Sequence, residues 1–188
     1  MAESILFSVD DIDLSLLTQS DLDNVETFSC GVEELDDFFH DEIWLCAKYH
    51  YLIPYKCTLS ATGEIVGIFT LANDVIALEE DDKIEFPQMP SEYNWIFKRQ
   101  CSYPAVNIGH LGIKSGFQSK GLGQIIVKFV AATFRNDPIA GCQFISVDAL
   151  NNHRTINFYD IKLGFQFMTN YDLGKHTRRM YLDIFTQP

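Results

Sequence analysis

Apolar residues recur at intervals of three and four in two long stretches of the chain. The first stretch predicts an amphipathic helix from about Val32 to Tyr49, with apolar side chains at positions 32, 35, 38, 39, 43 and 46. The second predicts a helix from Leu122 to Phe134, which the sequence Asn136-Asp137-Pro138 should end. A shorter helix is expected from Thr155 to Leu163, closed by Gly164.

Several other segments have the β-branched and aromatic composition of strands. They are Tyr55–Ser60, Glu64–Ala72, Ala105–Ile113, Phe144–Leu150 and Arg179–Phe185. The turn Ala61-Thr62-Gly63 joins the first two into a predicted hairpin, whereas strands and helices alternate after residue 105. Because such alternation implies at least one parallel strand pair, the predicted fold class is α+β, or mixed α/β, with a mixed sheet.

The segment from Leu78 to Pro104 shows no clear periodicity. Its acidic start and its prolines predict a long surface-loop insertion, with a short helix around Glu92–Gln100. The rest of the chain shows neither an internal repeat nor a low-complexity tract. We therefore expect a single domain over residues 1–188.

The composition, with 47% hydrophobic and 21% charged residues among 188, is typical of a globular protein. No apolar run approaches the roughly 20 residues that a membrane-spanning helix needs, and acidic residues stand where a signal peptide carries Lys or Arg. The 5 cysteines are scattered, without a C-x-x-C pair or a Cys/His ligand spacing. We therefore expect no membrane association, no disulfide framework and no metal site, and a cytoplasmic location with reduced cysteines.

Charge is distributed unevenly along the chain. Residues 1–92 contain 3 Lys or Arg against 21 Asp or Glu, a net charge of −18, whereas residues 93–188 contain 11 against 5, a net charge of +6. A chain with −12 overall repels a nucleic-acid backbone unless its basic half faces it, because phosphate binding rests on Lys and Arg. The acidic half favours a cationic substrate, although acidic runs are also common in solvated loops.

The segment Gln118-Ser119-Lys120-Gly121-Leu122-Gly123 lies between a predicted strand and the start of a predicted helix. Glycines allow a ligand to approach the backbone closely, and the unpaired amides at a helix start attract phosphate oxygens. The spacing fits a pyrophosphate-binding loop, although a glycine pair before a helix is also common in simple turns. It matches neither the P-loop nor the three-glycine dinucleotide fingerprint.

Two motifs in the correct order resemble those of the GCN5-related N-acetyltransferase (GNAT) superfamily. The loop just described resembles its acetyl-CoA pattern Q/R-x-x-G-x-G/A, and residues 152–165 resemble its segment that begins N-x-x-A-x-x-F-Y and ends in G-F, with Thr155 in place of Ala. The opening Phe28-Ser29-Cys30-Gly31, with the apolar residues after it, resembles a branch that includes acetyltransferase toxins. The resemblance implies a mixed, mostly antiparallel sheet with a splayed parallel strand pair, flanked by helices.

The resemblance also implies acetyl-CoA as co-substrate and suggests the residues that bind it. The backbones of Leu111 and Ile113 would pair with the pantetheine arm in the manner of an added strand. The loop would hold the pyrophosphate with Gln118, Ser119, Lys120, Gly121, Leu122, Gly123 and Gln124. Asn152 would contact the cofactor arm, and it is equally suited to cap a helix.

Acetyl transfer to an amine requires a deprotonated acceptor, donors for the developing oxyanion and an acid for the departing thiolate. His110 is the only titratable side chain in the predicted strand Ala105–Ile113. Its ordinary pKa near 6.5 suits a general base, although a histidine hydrogen-bonded within the sheet is an alternative. Asp74 is a second candidate, as a base or an ammonium anchor, and a surface turn is the alternative for it.

Tyr159 lies in the segment that resembles the family's F-Y pair, and we predict that it protonates the CoA thiolate. Packing of its ring beside Phe158 and Phe165 is compatible with that role. No cysteine lies in a motif that would pair it with a histidine and lower its pKa, which disfavours covalent catalysis.

Three functions fit these observations. The first is an acetyl-CoA-dependent N-acetyltransferase that moves the acetyl group directly to a primary amine of a small molecule or peptide, which the acidic half supports. The second is a toxin-like acetyltransferase of aminoacyl-tRNA, which the segment Phe28–Phe39 supports and the net charge opposes. The third is a non-catalytic acyl-CoA-binding module. The expected partners are acetyl-CoA and an amine acceptor, with tRNA only in the second case, and a homodimer is compatible with all three.

Overall fold

The computed structural model describes residues 6–77, 102–136 and 140–185. Within these ranges the strands are β1 (Ile12–Leu16), β2 (Ile53–Leu59), β3 (Ile65–Ala77), β4 (Ser102–Ile113), β5 (Phe144–Leu150), β6 (Gln166–Phe167) and β7 (Thr177–Asp183). The α-helices are α1 (Leu22–Glu26), α2 (Glu33–Asp37), α3 (Ile43–Lys48), α4 (Leu122–Asn136) and α5 (His153–Leu163). The fold class is mixed α+β, as the sequence predicts.

The strands form one sheet in the order β1-β2-β3-β4-β5-β7-β6. The pairs β1/β2, β2/β3, β5/β7 and β6/β7 are antiparallel. The pair β4/β5 is parallel, with Ala105–Asn107 opposite Phe144–Ser146. Because parallel strands need a crossover connection, the long helix α4 stands between them in the chain. The predicted mixed sheet with a parallel pair is confirmed.

The chain divides into two compact units, and strands β3 and β4 each contribute residues to both. Unit 1 comprises Met1–Ala72 and Ile108–Val130, and unit 2 comprises Asn73–Asn107 and Ala131–Pro188. Each unit has its own buried apolar cluster.

The core of unit 1 forms around a helical segment that contains a π-helical stretch. Helix α2 continues through this stretch, Phe38–Glu42, into α3, which confirms the predicted amphipathic helix. The consecutive Phe38 and Phe39, at the start of the π stretch, are both buried. They pack with Phe28 and Ile43, among other apolar residues.

The core of unit 2 contains Ile76, Tyr103, Ala105 and Phe144. The ring of Phe144 meets those of Tyr103 and Tyr181 edge-on, with centroids 5.9 and 5.6 Å away. Edge-to-face packing of this kind stabilises aromatic clusters beyond the area that they bury. This cluster lies where β3, β4, β5 and β7 run side by side.

Several predicted element boundaries require correction. The segment Ser102–Pro104, predicted to belong to the insertion, is the start of β4, and β3 continues to Ala77. The remainder of the predicted insertion, including the short helix at Glu92–Gln100, lies outside the described residues. Strand β1 was not predicted, because only Ile12 of its residues is buried and the alternation of a half-buried strand is therefore missing.

The described part of the chain has no helix that is long and apolar enough to cross a membrane. The same residues contain no group of His, Cys, Asp and Glu that could hold a metal ion. Cys30, Cys46, Cys57 and Cys142 are free thiols.

Candidate active site

The loop between β4 and α4 forms the candidate phosphate site of unit 1. It turns through Ser119 and Gly121, whose φ angles of +61° and +91° lie in the left-handed region. A Cβ atom on Gly121 would meet only the carbonyl oxygen of Phe7, at 3.8 Å, so the backbone here is open to a ligand. The first amides of α4, at Leu122 and Gly123, have no acceptor within the helix and suit an anion.

The N-terminal segment holds one side of this loop. The Phe7 amide donates to the carbonyl oxygen of Lys120 at 3.0 Å, and the Phe7 ring lies 6.1 Å from the ring of Phe117. The Lys120 ammonium lies over the Phe117 ring, 5.3 Å from its centroid. These contacts keep the positive charge of Lys120 beside the loop, where it can assist a phosphate group.

The side chain of Gln118 fixes the start of the loop. Its Nε2 atom donates to the carbonyl oxygens of Cys30 and Ile113, at 2.6 and 2.9 Å. The sequence predicts a cofactor-binding role for Gln118, and that role stays a prediction. In the structure its carboxamide positions the loop.

Asp36, on helix α2, holds the segment Ser29–Gly31 to which Gln118 is bonded. The Asp36 carboxylate accepts from the Cys30 amide at 2.7 Å, from Ser29 Oγ at 2.7 Å and from the Gly31 amide at 3.2 Å. Burial alone would raise the pKa of Asp36, but these hydrogen bonds outweigh it and lower the pKa. The segment Phe28-Ser29-Cys30-Gly31 is therefore held by hydrogen bonds to the Asp36 carboxylate.

Strand β4 contributes Leu111 and Ile113 on either side of Gly112. A Cβ atom on Gly112 would lie 2.5 Å from the Phe39 ring, so glycine is required for the aromatic core to pack against this strand. Leu111 and Ile113 are both half-buried. The pairing of their backbones with the pantetheine arm stays a prediction.

His110, also on β4, is held on two sides within unit 1. Its ring stacks on Phe38 with centroids 3.5 Å apart. Its amide donates to Thr70 Oγ1 at 3.1 Å, and its Nδ1 atom lies 3.2 Å from the same oxygen. The tautomer of the ring decides whether the Thr70 hydroxyl donates to Nδ1 or accepts from it.

These surroundings bear on the predicted role of His110 as a general base. Burial lowers the pKa of His110 to about 4, so the ring is neutral at pH 7. Its Nδ1 atom is already engaged by Thr70 Oγ1. The base role stays a prediction, and these contacts are those of the alternative, a histidine hydrogen-bonded within the sheet.

Three cysteines, Cys30, Cys57 and Cys142, are poor nucleophiles. Burial raises the pKa of Cys30 to about 11 and that of Cys57 to about 12, with nearby carboxylates adding to each shift. Burial also raises the pKa of Cys142. Since only the thiolate attacks a thioester readily, these side chains do not favour an acyl-cysteine intermediate.

Helix α5 of unit 2 carries the second motif. Asn152 caps its start, with Oδ1 accepting from the Thr155 amide at 2.9 Å. Gly164, with φ +76°, ends the helix, and the Phe165 amide donates to the carbonyl oxygen of Tyr159 at 2.9 Å. The capping role of Asn152 is thus established, whereas its contact with the cofactor arm stays a prediction.

Tyr159 is 7% exposed and packs edge-on between Phe158 and Phe165, with centroids 4.9 and 5.2 Å away. Burial raises the pKa of Tyr159 well above its ordinary value, so the phenol is protonated throughout the physiological range. A protonated phenol can act as an acid. The predicted proton donation to the thiolate stays a prediction.

Unit 2 contains a cluster of polar side chains whose mutual contacts could not be predicted from the sequence. Asp74 lies within strand β3 and not in a surface turn, and its Oδ2 atom accepts from Ser146 Oγ and from Arg179 Nη2. Arg179 Nη1 also donates to Asp148 at 2.5 Å, and Asn107 Nδ2 donates to Ser146 Oγ at 3.1 Å. No local pattern reveals these contacts, because they join strands far apart in sequence.

Solved structures share this fold over nearly the whole chain. A mutant of KacT gives a TM-score of 0.71 at 19% identity, covering 94% of this chain and 96% of that one. AtaT bound with acetyl-CoA gives 0.67 at 21% identity, covering 95% and 96%. AtaT complexed with acetyl-methionyl-tRNAfMet gives 0.67 at 21% identity, covering 94% and 96%. No curated protein sequence matches the chain.

The sequence profile of the acetyltransferase (GNAT) family matches residues 20–165. This span covers most of the chain and includes both motifs, from the loop at Gln118 to the end of helix α5. The match confirms the predicted N-acetyltransferase class, with acetyl-CoA as the co-substrate of such an enzyme. The chain belongs to the GNAT family of acetyltransferases.

Proposed function

We propose that this chain transfers the acetyl group of acetyl-CoA directly to a primary amine. The observation that carries the proposal is the open, left-handed backbone at Gly121 before helix α4, inside the span that matches the family. This backbone fits a pyrophosphate, because a side chain is absent where the phosphate oxygens would approach. The backbones of Leu111 and Ile113 would hold the pantetheine arm, and Asn152 would contact it.

The reaction requires two proton transfers, one to the departing thiolate and one from the amine. The amine nitrogen bonds to the acyl carbon, the carbon–sulfur bond breaks, and the thiolate takes up one proton. Tyr159 supplies that proton and recovers it from solvent, and the proton lost by the amine leaves through water. The raised pKa values of Cys30 and Cys57 support direct transfer over a covalent intermediate.

The first acceptor that we propose is the amino group of an aminoacyl-tRNA. The complex of AtaT with acetyl-methionyl-tRNAfMet supports it, since the two folds correspond along almost their full lengths. The charge of unit 2 is also compatible with it. The described residues of this unit include 6 Lys or Arg and 5 Asp or Glu, against 5 and 13 in unit 1.

The second acceptor is a cationic small molecule or peptide amine. The excess of acidic residues in unit 1 supports it, because a negative field attracts cations and repels a polyanion. Salt distinguishes the two acceptors. A cationic substrate loses affinity as its attraction to the acidic surface is screened over about 8–10 Å, whereas tRNA loses affinity as phosphate contacts are screened.

An acceptor panel tests the proposal by following the release of free CoA thiol from acetyl-CoA. Charged tRNA, polyamines, basic peptides and free amino acids are compared, with deacylated tRNA as the control that lacks the amine. Release with charged tRNA alone establishes the first acceptor, and release with polyamines or peptides establishes the second. Acetyl-CoA binding without release in any arm would identify a non-catalytic acyl-CoA-binding module.

A further inference from the structure

Two successive peptide groups, Ser29–Cys30 and Cys30–Gly31, have their amides bonded to the carboxylate of Asp36 on helix α2. The Cys30 amide donates to Oδ1 at 2.7 Å, and the Gly31 amide donates to Oδ2 at 3.2 Å. The Ser29 hydroxyl also donates to Oδ2, at 2.7 Å. Both carboxylate oxygens are thus used by this segment. An asparagine could not replace them, because its NH2 group has no lone pair with which to accept.

The carbonyl groups of the same two peptides bond to the connection between β4 and α4. The Ser29 carbonyl oxygen accepts from the Ser115 amide at 3.0 Å and from Ser115 Oγ at 3.2 Å. The Cys30 carbonyl oxygen accepts from Nε2 of Gln118, the first residue of the candidate phosphate loop, at 2.6 Å. Because the N–H and C=O groups of a trans peptide point in opposite directions, these peptides link Asp36 on one side to the loop on the other.

The negative charge of Asp36 strengthens this link. A carboxylate polarises the peptide group whose N–H it binds, and the carbonyl oxygen at the other end of that group becomes a better acceptor. Burial alone would raise the pKa of Asp36, but the hydrogen bonds from Ser29, Cys30 and Gly31 lower it overall. The carboxylate is therefore ionised at neutral pH.

We propose that Asp36 is a positioning residue for acetyl-CoA, which sets the place of Gln118, and with it the phosphate loop, through the two peptide groups of Cys30. This inference rests on the proposed function, in which the loop holds the pyrophosphate. Because Asp36 acts through intervening peptide groups, its effect falls on the affinity for acetyl-CoA and not on the turnover number.

Asparagine variants at two adjacent positions test this inference on the full chain. Asp36→Asn removes the carboxylate that holds the segment, and Asp37→Asn removes the same charge from an exposed neighbour. Because acetyl-CoA carries negative phosphates, the loss of a negative charge would by itself strengthen its binding in both variants. A weakening therefore has the opposite sign to the effect of charge and reports the position of the loop.

Asp36→Asn is expected to weaken acetyl-CoA binding by about tenfold in calorimetric titration. The KM for acetyl-CoA should rise by the same factor, with an unchanged turnover number at saturation. Asp37→Asn should bind acetyl-CoA at least as tightly as wild type. An affinity of Asp36→Asn within about twofold of wild type, or an equal loss in Asp37→Asn, would overturn the inference.

A double-mutant cycle distinguishes positioning through Gln118 from a general structural effect. If Asp36 acts through Gln118, the loss of affinity in the double variant Asp36→Asn/Gln118→Ala is smaller than the product of the two single losses. A loss equal to that product would show that the two residues act independently, and it would overturn the inference.

If Asp36→Asn does not fold, hydrogen exchange in wild type decides. Coupling between two sites is reciprocal, so acetyl-CoA should slow the exchange of the Cys30 and Gly31 amides. The Thr18 amide is the control, because it donates to another carboxylate of unit 1, that of Asp21, at 2.9 Å. Exchange of the Cys30 and Gly31 amides that is slowed no more than that of Thr18 would overturn the inference.

The proposed function fails by a different measurement, the release of CoA thiol. Acetyl-CoA binding that depends on Asp36, without thiol release in any arm of the acceptor panel, would retain the positioning role and reject the transferase reaction. Thiol release with an unchanged KM for acetyl-CoA in Asp36→Asn would retain the reaction and reject the positioning role.

Discussion

The carboxamide of Gln118 donates to the carbonyl oxygen of Cys30, 88 positions earlier in the chain, at 2.6 Å. The same nitrogen donates to Ile113 at the end of β4, so the candidate phosphate loop begins at a point fixed by two elements of unit 1. Asp36 fixes the Cys30 side of this contact through the Cys30 amide. Loop position thus depends on a helix that carries none of the predicted cofactor-binding residues.

Replacing Gln118 by Ala is expected to weaken acetyl-CoA binding by about tenfold, because two backbone carbonyls lose a donor and the loop loses its fixed start, at a cost of about 1–2 kcal/mol. Calorimetric titration measures the affinity. Gln19→Ala, at an exposed glutamine of unit 1, serves as the control. An affinity of Gln118→Ala equal to that of the control would show that the loop is held by other contacts.

Gly121 and Gly116 form a matched pair that distinguishes the effect of a left-handed backbone from the effect of steric crowding by a Cβ atom. A Cβ atom fits sterically at both, but only Gly121 has a positive φ, at +91°. Gly121→Ala is therefore expected to shift the loop, at a cost of about 1–2 kcal/mol, and to weaken acetyl-CoA binding, whereas Gly116→Ala leaves it unchanged. A bulkier residue at position 121 should abolish binding while the fold persists, which far-UV circular dichroism checks.

An unchanged affinity in Gly121→Ala would mean that the left-handed conformation is not needed for the cofactor. Equal losses in both alanine variants would indicate a general loosening of the loop, and the phosphate role of Gly121 would lose its support.

Elements with strong periodicity could be predicted from the sequence, and their ends follow local signals. Strand β5 is confirmed at both ends, and helix α5 ends at Leu163 before Gly164, as predicted. Strand β1 and the π stretch could not be predicted. The first has one buried residue, and the second is visible only as two adjacent phenylalanines within a helical pattern.

The candidate site also contains features that the sequence reveals and features that it does not. Glycines at Gly121 and Gly123 mark the loop in the sequence, whereas the left-handed conformation of Ser119 carries no residue signal. The contact of Arg179 with Asp74 spans 105 positions and depends on strand order. Sequence reasoning named Asp74 but could not supply the arginine and serine that orient it.

Replacing Tyr159 by Phe is expected to lower the turnover number at least tenfold while acetyl-CoA affinity persists, because the ring packing stays and only the proton donor is lost. Steady-state kinetics with the best acceptor of the panel, together with calorimetry, separate the two effects. Tyr181→Phe is the control, since it removes a hydroxyl of unit 2 that donates to Gln166 at 2.8 Å. Full turnover in Tyr159→Phe would leave water as the proton source for the thiolate.

The neutral state of His110 makes a prediction about acid stability. Its pKa is about 4 in the folded chain and near 6.5 when unfolded, so the unfolded state binds more protons between these values. The favourable contribution of the neutral ring is complete above pH 6.5 and declines as the pH falls toward 4. Between pH 7.5 and 5.5 the expected loss is on the order of 1 kcal/mol, allowing for solvent screening of a half-buried ring.

Denaturant unfolding of wild type and His110→Gln at these two pH values measures this loss, and His153→Gln, at an exposed histidine, is the control. The free energy of unfolding of His110→Gln should fall less between the two pH values than that of wild type, because glutamine does not titrate. The control should follow wild type. The rate of acetyl transfer is also measured against pH in both proteins. The wild-type profile should have no inflection near pH 6.5 that is missing from the profile of His110→Gln. Such an inflection would mean that His110 titrates with an ordinary pKa in the folded enzyme, and it would support the predicted role of His110 as the general base.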